Sequence, residues 1–187
     1  MSRGQVREAL SKLEFYGILK TVPQSGTLVS GIGIVALEGL ITDVLKLEES
    51  DFHTLVETRV TLETRAAYLA ASRRSADDIV VMANALEAYE KKIVNNQEAV
   101  EEDLMFHIKI AEASKNVVLK SLMMIITPEI VKSFINLKVC DVDNNEKTLE
   151  EHRQIFRHIV DKNPDAAASA MELHLMDLVA YSKERLL

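Results

Sequence analysis

The sequence predicts a mainly α-helical protein, in which one helix and a β-hairpin precede an antiparallel bundle of six or seven helices. Apolar residues recur at helical spacing along most of the 187 residues. Strand-like alternation is confined to residues 18–30, around a Pro- and Gly-containing turn. Short polar stretches separate the periodic segments, and short connections between helices favour antiparallel neighbours.

The first segment is predicted to form a helix and a hairpin. Apolar residues at i, i+3, i+4 and i+7 predict a helix over 2–16, which Gly17 would end. Two short strands, at 18–22 and 27–30, flank "PQSG", whose Pro, Ser and Gly favour a turn. Residues 31–35 are predicted to be a linker.

Helical periodicity then continues to the C-terminus. The predicted helices cover 36–47, 51–74, 76–95, 98–114, 116–138, 147–161 and 165–186. Asn163 and Pro164 provide an N-cap and a first turn for the last helix, whereas Pro128 predicts a kink in the fifth. Residues 36–187 are therefore expected to form one all-helical domain.

The composition limits the classes of protein to which this chain can belong. The chain is 48% hydrophobic and 27% charged, which is typical of a globular protein. No apolar run is long enough to cross a bilayer, and Cys140 has no second cysteine to pair with, so we expect a cytoplasmic protein without membrane partners. Of the net charge of −7, residues 1–30 contribute +2 and the remainder −9. Only the basic N-terminal end would attract nucleic acid.

Four polar side chains fall on apolar helix faces. Asp103 and His107 lie about 40° apart on one face, and His152 and His174 lie on apolar faces of two later helices. A buried carboxylate is costly unless it is paired or bound to a metal. Imidazole and carboxylate together suit Zn, Ni, Fe or Mn, so we predict a divalent metal site. The same pattern also fits core histidines without a metal, one of which would pair with Asp103.

Arg59 and Glu63 form a second polar pair, one turn apart on the apolar face of helix 51–74. They could form an internal ion pair that fixes packing. Alternatively, Arg59 could face a cavity, where its planar guanidinium would bind the carboxylate of a small organic acid.

Four stretches of sequence, one N-terminal and three in the body, resemble a known family. The N-terminal "SRGQVREALSKLEFYGILKTVPQSGTLVS" resembles the recognition helix and wing of GntR-superfamily winged-helix transcription regulators. The matching positions are Ser2, Arg3, Val6, Arg7, Glu8, Ala9, Leu10, Leu13, Gly17 and Gly26. In the body, "ETRVTLETRAAYLAA", "DLMFHIKIAEASKN" and "EHRQIFRHIVDKNPDAAASAMELHL" resemble the FCD effector domain of the FadR-like branch. The chain departs from that pattern at Lys115, where the family often has Gly.

This resemblance implies a partial winged-helix DNA-binding domain at 1–30 and an effector-binding domain at 36–187. It implies that Asp103, His107, His152 and His174 bind a divalent metal, and that Arg59 contacts a small carboxylate such as a hydroxy or sugar acid. It also implies a homodimer on operator DNA, contacted by Ser2, Arg3, Arg7 and Gly26. A winged helix needs two helices before the recognition helix, roughly 35–45 residues, so DNA binding is expected only with a complete N-terminus.

Three functions remain open from the residues. The leading interpretation is a metabolite-responsive transcription regulator rather than an enzyme. The first alternative is a metal-dependent helical-bundle enzyme acting on a small carboxylate, with Glu63 as a general base. The second alternative is a structural bundle without a metal.

Overall fold

A computed structural model describes residues 3–15, 19–22, 26–29, 52–126 and 145–184. The chain divides into two compact units, Met1–Glu49 and Ser50–Leu187, which are described separately. The predicted helix at 36–47, the linker at 31–35 and the kink at Pro128 lie outside the described residues.

The N-terminal unit contains helix α1 (Arg3–Phe15) and an antiparallel hairpin of β1 (Leu19–Val22) and β2 (Gly26–Val29). Val22 pairs with Gly26, whose φ of +92° lies in the region that favours glycine. The exposed apolar stripe on α1 consists of Val6, Leu10 and Leu13. The helix and hairpin confirm the prediction, and β2 starts one residue before its predicted position.

All regular secondary structure among the described residues of the second unit is helical. Its helices are α2 (Phe52–Arg73), α3 (Ala76–Val94), α4 (Val100–Ala113), α5 (117–126), α6 (Asn145–Val160) and α7 (Pro164–Glu184). The helix ends that fall within the described residues lie within two residues of the predicted ones, and a mainly helical fold is confirmed. The predicted end of helix 116–138 lies outside the described residues. None of the described helices combines the length and apolar character required to span a membrane.

Helix α4 packs against both α2 and α3. Its apolar residues are buried around most of its circumference, including Leu104, Phe106 and Ile110. Helix α2 packs most extensively against α7, and its buried residues include Ala67 and Ala70. A polar residue on the inner face of α4 therefore faces other helices rather than water.

Two arginines at and just after the end of α2 hold the C-terminal ends of α4 and α6. Arg74 donates to the carbonyls of Ile159 and Val160 at the end of α6, and Arg73 donates to the carbonyl of Ser114 after α4. Lys115 adopts a φ of +56°, which explains why glycine suits this position. These contacts fix the axial positions of two helices that carry polar residues in the core.

Candidate metal centre

The structure brings together the four predicted ligands, which come from three helices. Asp103 and His107 lie on α4, His152 on α6 and His174 on α7. One nitrogen or oxygen atom from each of the four lies within 4.8 Å of the others. His107 and His152 are buried, and the Asp103 side chain is 18% exposed. The helical spacing thus predicted the correct inward faces.

The atoms that converge are the three imidazole Nε2 atoms and a carboxylate oxygen. His174 Nε2 lies 3.1 Å from His152 Nε2 and 3.3 Å from His107 Nε2. Asp103 Oδ1 lies 3.3 Å from His152 Nε2 and 3.8 Å from His107 Nε2. Four donor atoms of the types that divalent transition metals prefer therefore surround one point.

A chain of ionic contacts connects this point to α2. Arg59 Nε donates to Glu63 Oε1, and Glu63 Oε2 contacts His107 Nδ1. Arg59 Nη2 also lies 3.8 Å from Asp103 Oδ2. Arg59 and Glu63 are both buried, so the internal ion pair considered from the sequence is present. Arg59 therefore lies next to the candidate site, where its Nη2 is close to Asp103, and its Nε donates a hydrogen bond to Glu63.

The other two histidines have different surroundings. His174 Nδ1 contacts Glu151 Oε2 at 2.9 Å. His152 Nδ1 is buried and has no hydrogen-bond partner among the described atoms. Its ring instead packs against Tyr89 and Phe106, at centroid distances of 4.8 and 4.9 Å.

The surroundings shift the pKa values of two carboxylates and of two of the three imidazoles. Burial raises the pKa of Glu63, but the Arg59 guanidinium and His107 outweigh it and lower that pKa to about 2. Burial also raises the pKa of Asp103, which the His107 and His152 imidazoles and Arg59 nevertheless hold well below its usual range. Burial lowers the pKa of His152 and of His174. Ionised carboxylates and neutral imidazoles are the forms that coordinate metals.

The predicted DNA contacts lie in the N-terminal unit. Arg7 is exposed on α1, four residues after Arg3 at the start of the same helix. Gly26 begins β2 and is exposed. Ser2 lies outside the described residues.

Sequence reasoning missed Glu151 as a neighbour of the site. Helical periodicity assigned Glu151 to the solvent-facing side of α6, and its side chain is indeed 23% exposed. Its contact with His174 depends on how α6 packs against α7, which periodicity does not report. The sequence carries no direct signal for this contact, because residues that are adjacent on a helix, such as Glu151 and His152, do not face the same way.

Comparison with known proteins supports a regulatory role. Residues 54–177 match the model of the FCD domain. The chain is 26% identical to the HTH-type transcriptional regulator LutR of Bacillus subtilis (strain 168) over 182 residues, which covers 95% of this chain and 83% of LutR. It is 28% identical to the Uxu operon transcriptional regulator of Escherichia coli (strain K12) over 201 residues, covering 100% of this chain and 73% of that protein.

A solved structure of a Streptococcus agalactiae GntR protein is also similar, with a TM-score of 0.65 and 28% identity. The match covers 96% of this chain and 82% of that chain. The two named relatives are transcription regulators, in agreement with the expectation that this protein is not an enzyme. The chain therefore belongs to the FCD domain family and is a transcription regulator of the GntR type.

Proposed function

We propose that this regulator binds a divalent metal through Asp103, His107, His152 and His174, and that a small carboxylate effector binds beside them. The observation that supports this most strongly is the convergence of three Nε2 atoms and one carboxylate oxygen. Exposed acidic clusters occur without metals, but this cluster is largely buried and consists mostly of imidazoles.

Two of the distances between imidazole nitrogens fit a single ion. Two Nε2 atoms 3.1 or 3.3 Å apart, each about 2.1 Å from one metal, subtend roughly 95° to 105° at that metal. Such angles lie between octahedral and tetrahedral values, so Zn, Ni, Fe and Mn all fit these ligands. Four protein ligands leave open positions in an octahedral shell, where an effector oxygen could bind.

Charge balance favours an anionic effector. A divalent ion with one carboxylate ligand, Asp103, carries a net charge of +1. The nearby ionic groups add little to this, because Arg59 pairs with Glu63 and Lys147 Nζ lies 3.6 Å from Glu151. A monoanionic acid would therefore neutralise the site, with Arg59 as a further contact for its carboxylate.

The expected mechanism is a shift between two arrangements of the helices. Ligands from α4, α6 and α7 and the Arg59–Glu63 pair of α2 meet at the site, so an effector that binds one arrangement more tightly biases the whole unit towards it. In a homodimer, this bias would change how two DNA-binding heads are presented to a two-fold operator. An effector would thereby alter the affinity for operator DNA.

A thermal-shift screen of small carboxylates tests the effector proposal. The protein is purified without a metal-chelating tag, and lactate and sugar acids are added with Zn²⁺ or with a chelator. We expect one or more acids to raise Tm only in the metal-loaded protein, because the acid needs the net positive charge. Arg59→Lys should weaken the affinity for the acid about 10-fold, because lysine lacks the planar guanidinium that binds a carboxylate through two hydrogen bonds. An equal response with chelator would contradict the proposal.

Operator binding is tested separately in the full-length gene product. We propose that Arg7 contacts DNA in the major groove, together with Arg3, while Ser2 and Gly26 contact the backbone. Arg7→Ala is expected to weaken binding to a fragment from upstream of the gene roughly 10- to 100-fold. Arg65→Ala, in the effector unit, serves as the control that changes the same charge. Equal affinity of the Arg7 variant across a salt series would argue against this DNA surface.

A further inference from the structure

The histidine nitrogens that point away from the candidate metal have unequal partners. His107 Nδ1 forms an ionic contact with Glu63 Oε2, although neither atom forms a hydrogen bond. His174 Nδ1 contacts Glu151 Oε2 at 2.9 Å. His152 Nδ1 has no hydrogen-bond partner among the described atoms, and the carboxylate that contacts this ring, Asp103, lies at Nε2. Two of the three imidazoles are therefore held at Nδ1 by carboxylates, and the third is held by ring packing against Tyr89 and Phe106.

These contacts have a direct consequence for the imidazoles. An ionised carboxylate only accepts hydrogen bonds, so a nitrogen that contacts it must carry the hydrogen. In a neutral imidazole, a hydrogen on Nδ1 leaves a lone pair on Nε2. The Nε2 atoms of His107 and His174 lie 3.3 Å apart. Two lone pairs facing each other at this distance repel, unless a cation lies between them.

We infer that Glu63 and Glu151 are positioning residues for the metal, each of which fixes the tautomer and the ring orientation of one histidine ligand. This inference rests on the proposed metal site. Neither carboxylate belongs to the group of four converging donors, and each contacts the Nδ1 atom of an imidazole rather than its Nε2. Arg59 acts through Glu63, since its Nε donates to the carboxylate oxygen that His107 does not use.

The two positioning carboxylates lie in different environments. Glu63 is 1% exposed, and its charge is balanced by the buried guanidinium of Arg59. Glu151 is 23% exposed and borders a surface cavity of about 400 Å³ between α6 and α7. Its Oε1 lies 3.6 Å from Lys147 Nζ, so solvent and an exposed cation share this carboxylate. Glu63 is therefore expected to have the larger effect on the metal.

The test measures Co²⁺ affinity by competition with a chromophoric chelator in Glu63→Gln and Glu151→Gln. Removal of such a carboxylate typically weakens metal binding 10- to 100-fold. We expect Glu63→Gln to fall near the upper end of this range and Glu151→Gln near the lower end. The visible absorption bands of bound Co²⁺ should also shift, because the imidazole basicity and orientation change. A purely structural role would alter stability and leave these bands unchanged.

Two matched controls exist on the same helices. Glu57→Gln on α2 and Glu150→Gln on α6 remove the same charge from exposed residues that contact His53 and Arg153 instead of the site. Both controls should bind Co²⁺ as the unaltered protein does. If Glu63→Gln does not fold, Glu151→Gln decides, because its side chain is partly exposed and the replacement has the same shape.

The outcomes separate the two proposals. Equal affinity and identical spectra in the two test variants, with Co²⁺ bound tightly by the unaltered protein, would overturn this inference and leave the metal site standing. Failure of the unaltered protein to bind Co²⁺ would overturn both. Weaker binding with shifted bands in the test variants, and in neither control, would support the positioning role.

Discussion

Replacement of both His107 and His152 by Ala is expected to abolish divalent-metal binding by residues 50–187. The two side chains are buried and belong to different helices, α4 and α6. Of the four donors, only Asp103 and His174 would remain. Two donors on separate helices do not form a complete ligand set for the ion. Elemental analysis of protein purified without a chelating tag measures this loss directly.

The same variant should lose the stability that metal adds. A ligand present at a thousand times its Kd stabilises the folded state by about 4 kcal/mol. For a unit of this size, that corresponds to a rise in Tm of roughly 10 °C on addition of metal. The double variant should show no rise, while its far-UV CD spectrum remains helical.

His158→Ala is the matched control for this experiment. His158 lies on α6, as His152 does, but its position in the helix directs it away from the four donors. Metal content and the metal-dependent rise in Tm should be unchanged in this control. Stoichiometric metal in the double variant would show that the ion binds at a different site.

Helical periodicity was sufficient to find the inward-facing polar residues. Asp103 and His107 are one turn apart, so any helix that buries Phe106 and Ile110 also turns this pair inward. Bundle helices with short connections then bring His152 into the same interior. The cost of burying these groups without a partner indicated that they meet, but periodicity could not report the distances.

The contacts of Glu63 and Glu151 could not be predicted in the same way. Periodicity gives the direction of a side chain from its own helix but not which neighbouring helix it meets. The Glu63–His107 contact depends on α2 packing against α4, and the Glu151–His174 contact depends on α6 packing against α7. The sequence therefore predicted the pair of Glu63 with Arg59, which their own helix determines, but not the contact of Glu63 with His107.

The site connects four helices through charges that must be satisfied together. Three helices supply the proposed metal ligands, and α2 supplies Glu63 and Arg59. Buried ionic groups rarely add net stability over apolar residues of equal size, but removal of one partner is costly because the other is left uncompensated. This arrangement suits a sensor, since loss or gain of one charge at the centre affects every helix that contributes a partner.

Arg59→Met is accordingly expected to destabilise the protein by about 3 to 5 kcal/mol. The substitution removes the guanidinium and leaves the Glu63 carboxylate, 1% exposed, without that compensating charge. Urea unfolding followed by far-UV CD in the presence of chelator measures this effect free of any contribution from bound metal. Arg65→Met, on the exposed face of α2 where the guanidinium lies 4.8 Å from the Tyr68 ring centroid, should cost no more than about 1 kcal/mol.

The double variant Arg59→Met/Glu63→Leu distinguishes a lost charge partner from lost packing. Because it removes both charges and retains apolar volume, it should recover most of the stability lost in Arg59→Met. The same double variant should bind metal more weakly than the unaltered protein, since His107 Nδ1 no longer meets a carboxylate. A double variant as unstable as the single one would mean that the shape of the Arg59 side chain, rather than its charge, supports the core. Recovered stability together with weakened metal binding would show that this ion pair supports metal binding and is not needed for the stability of the fold.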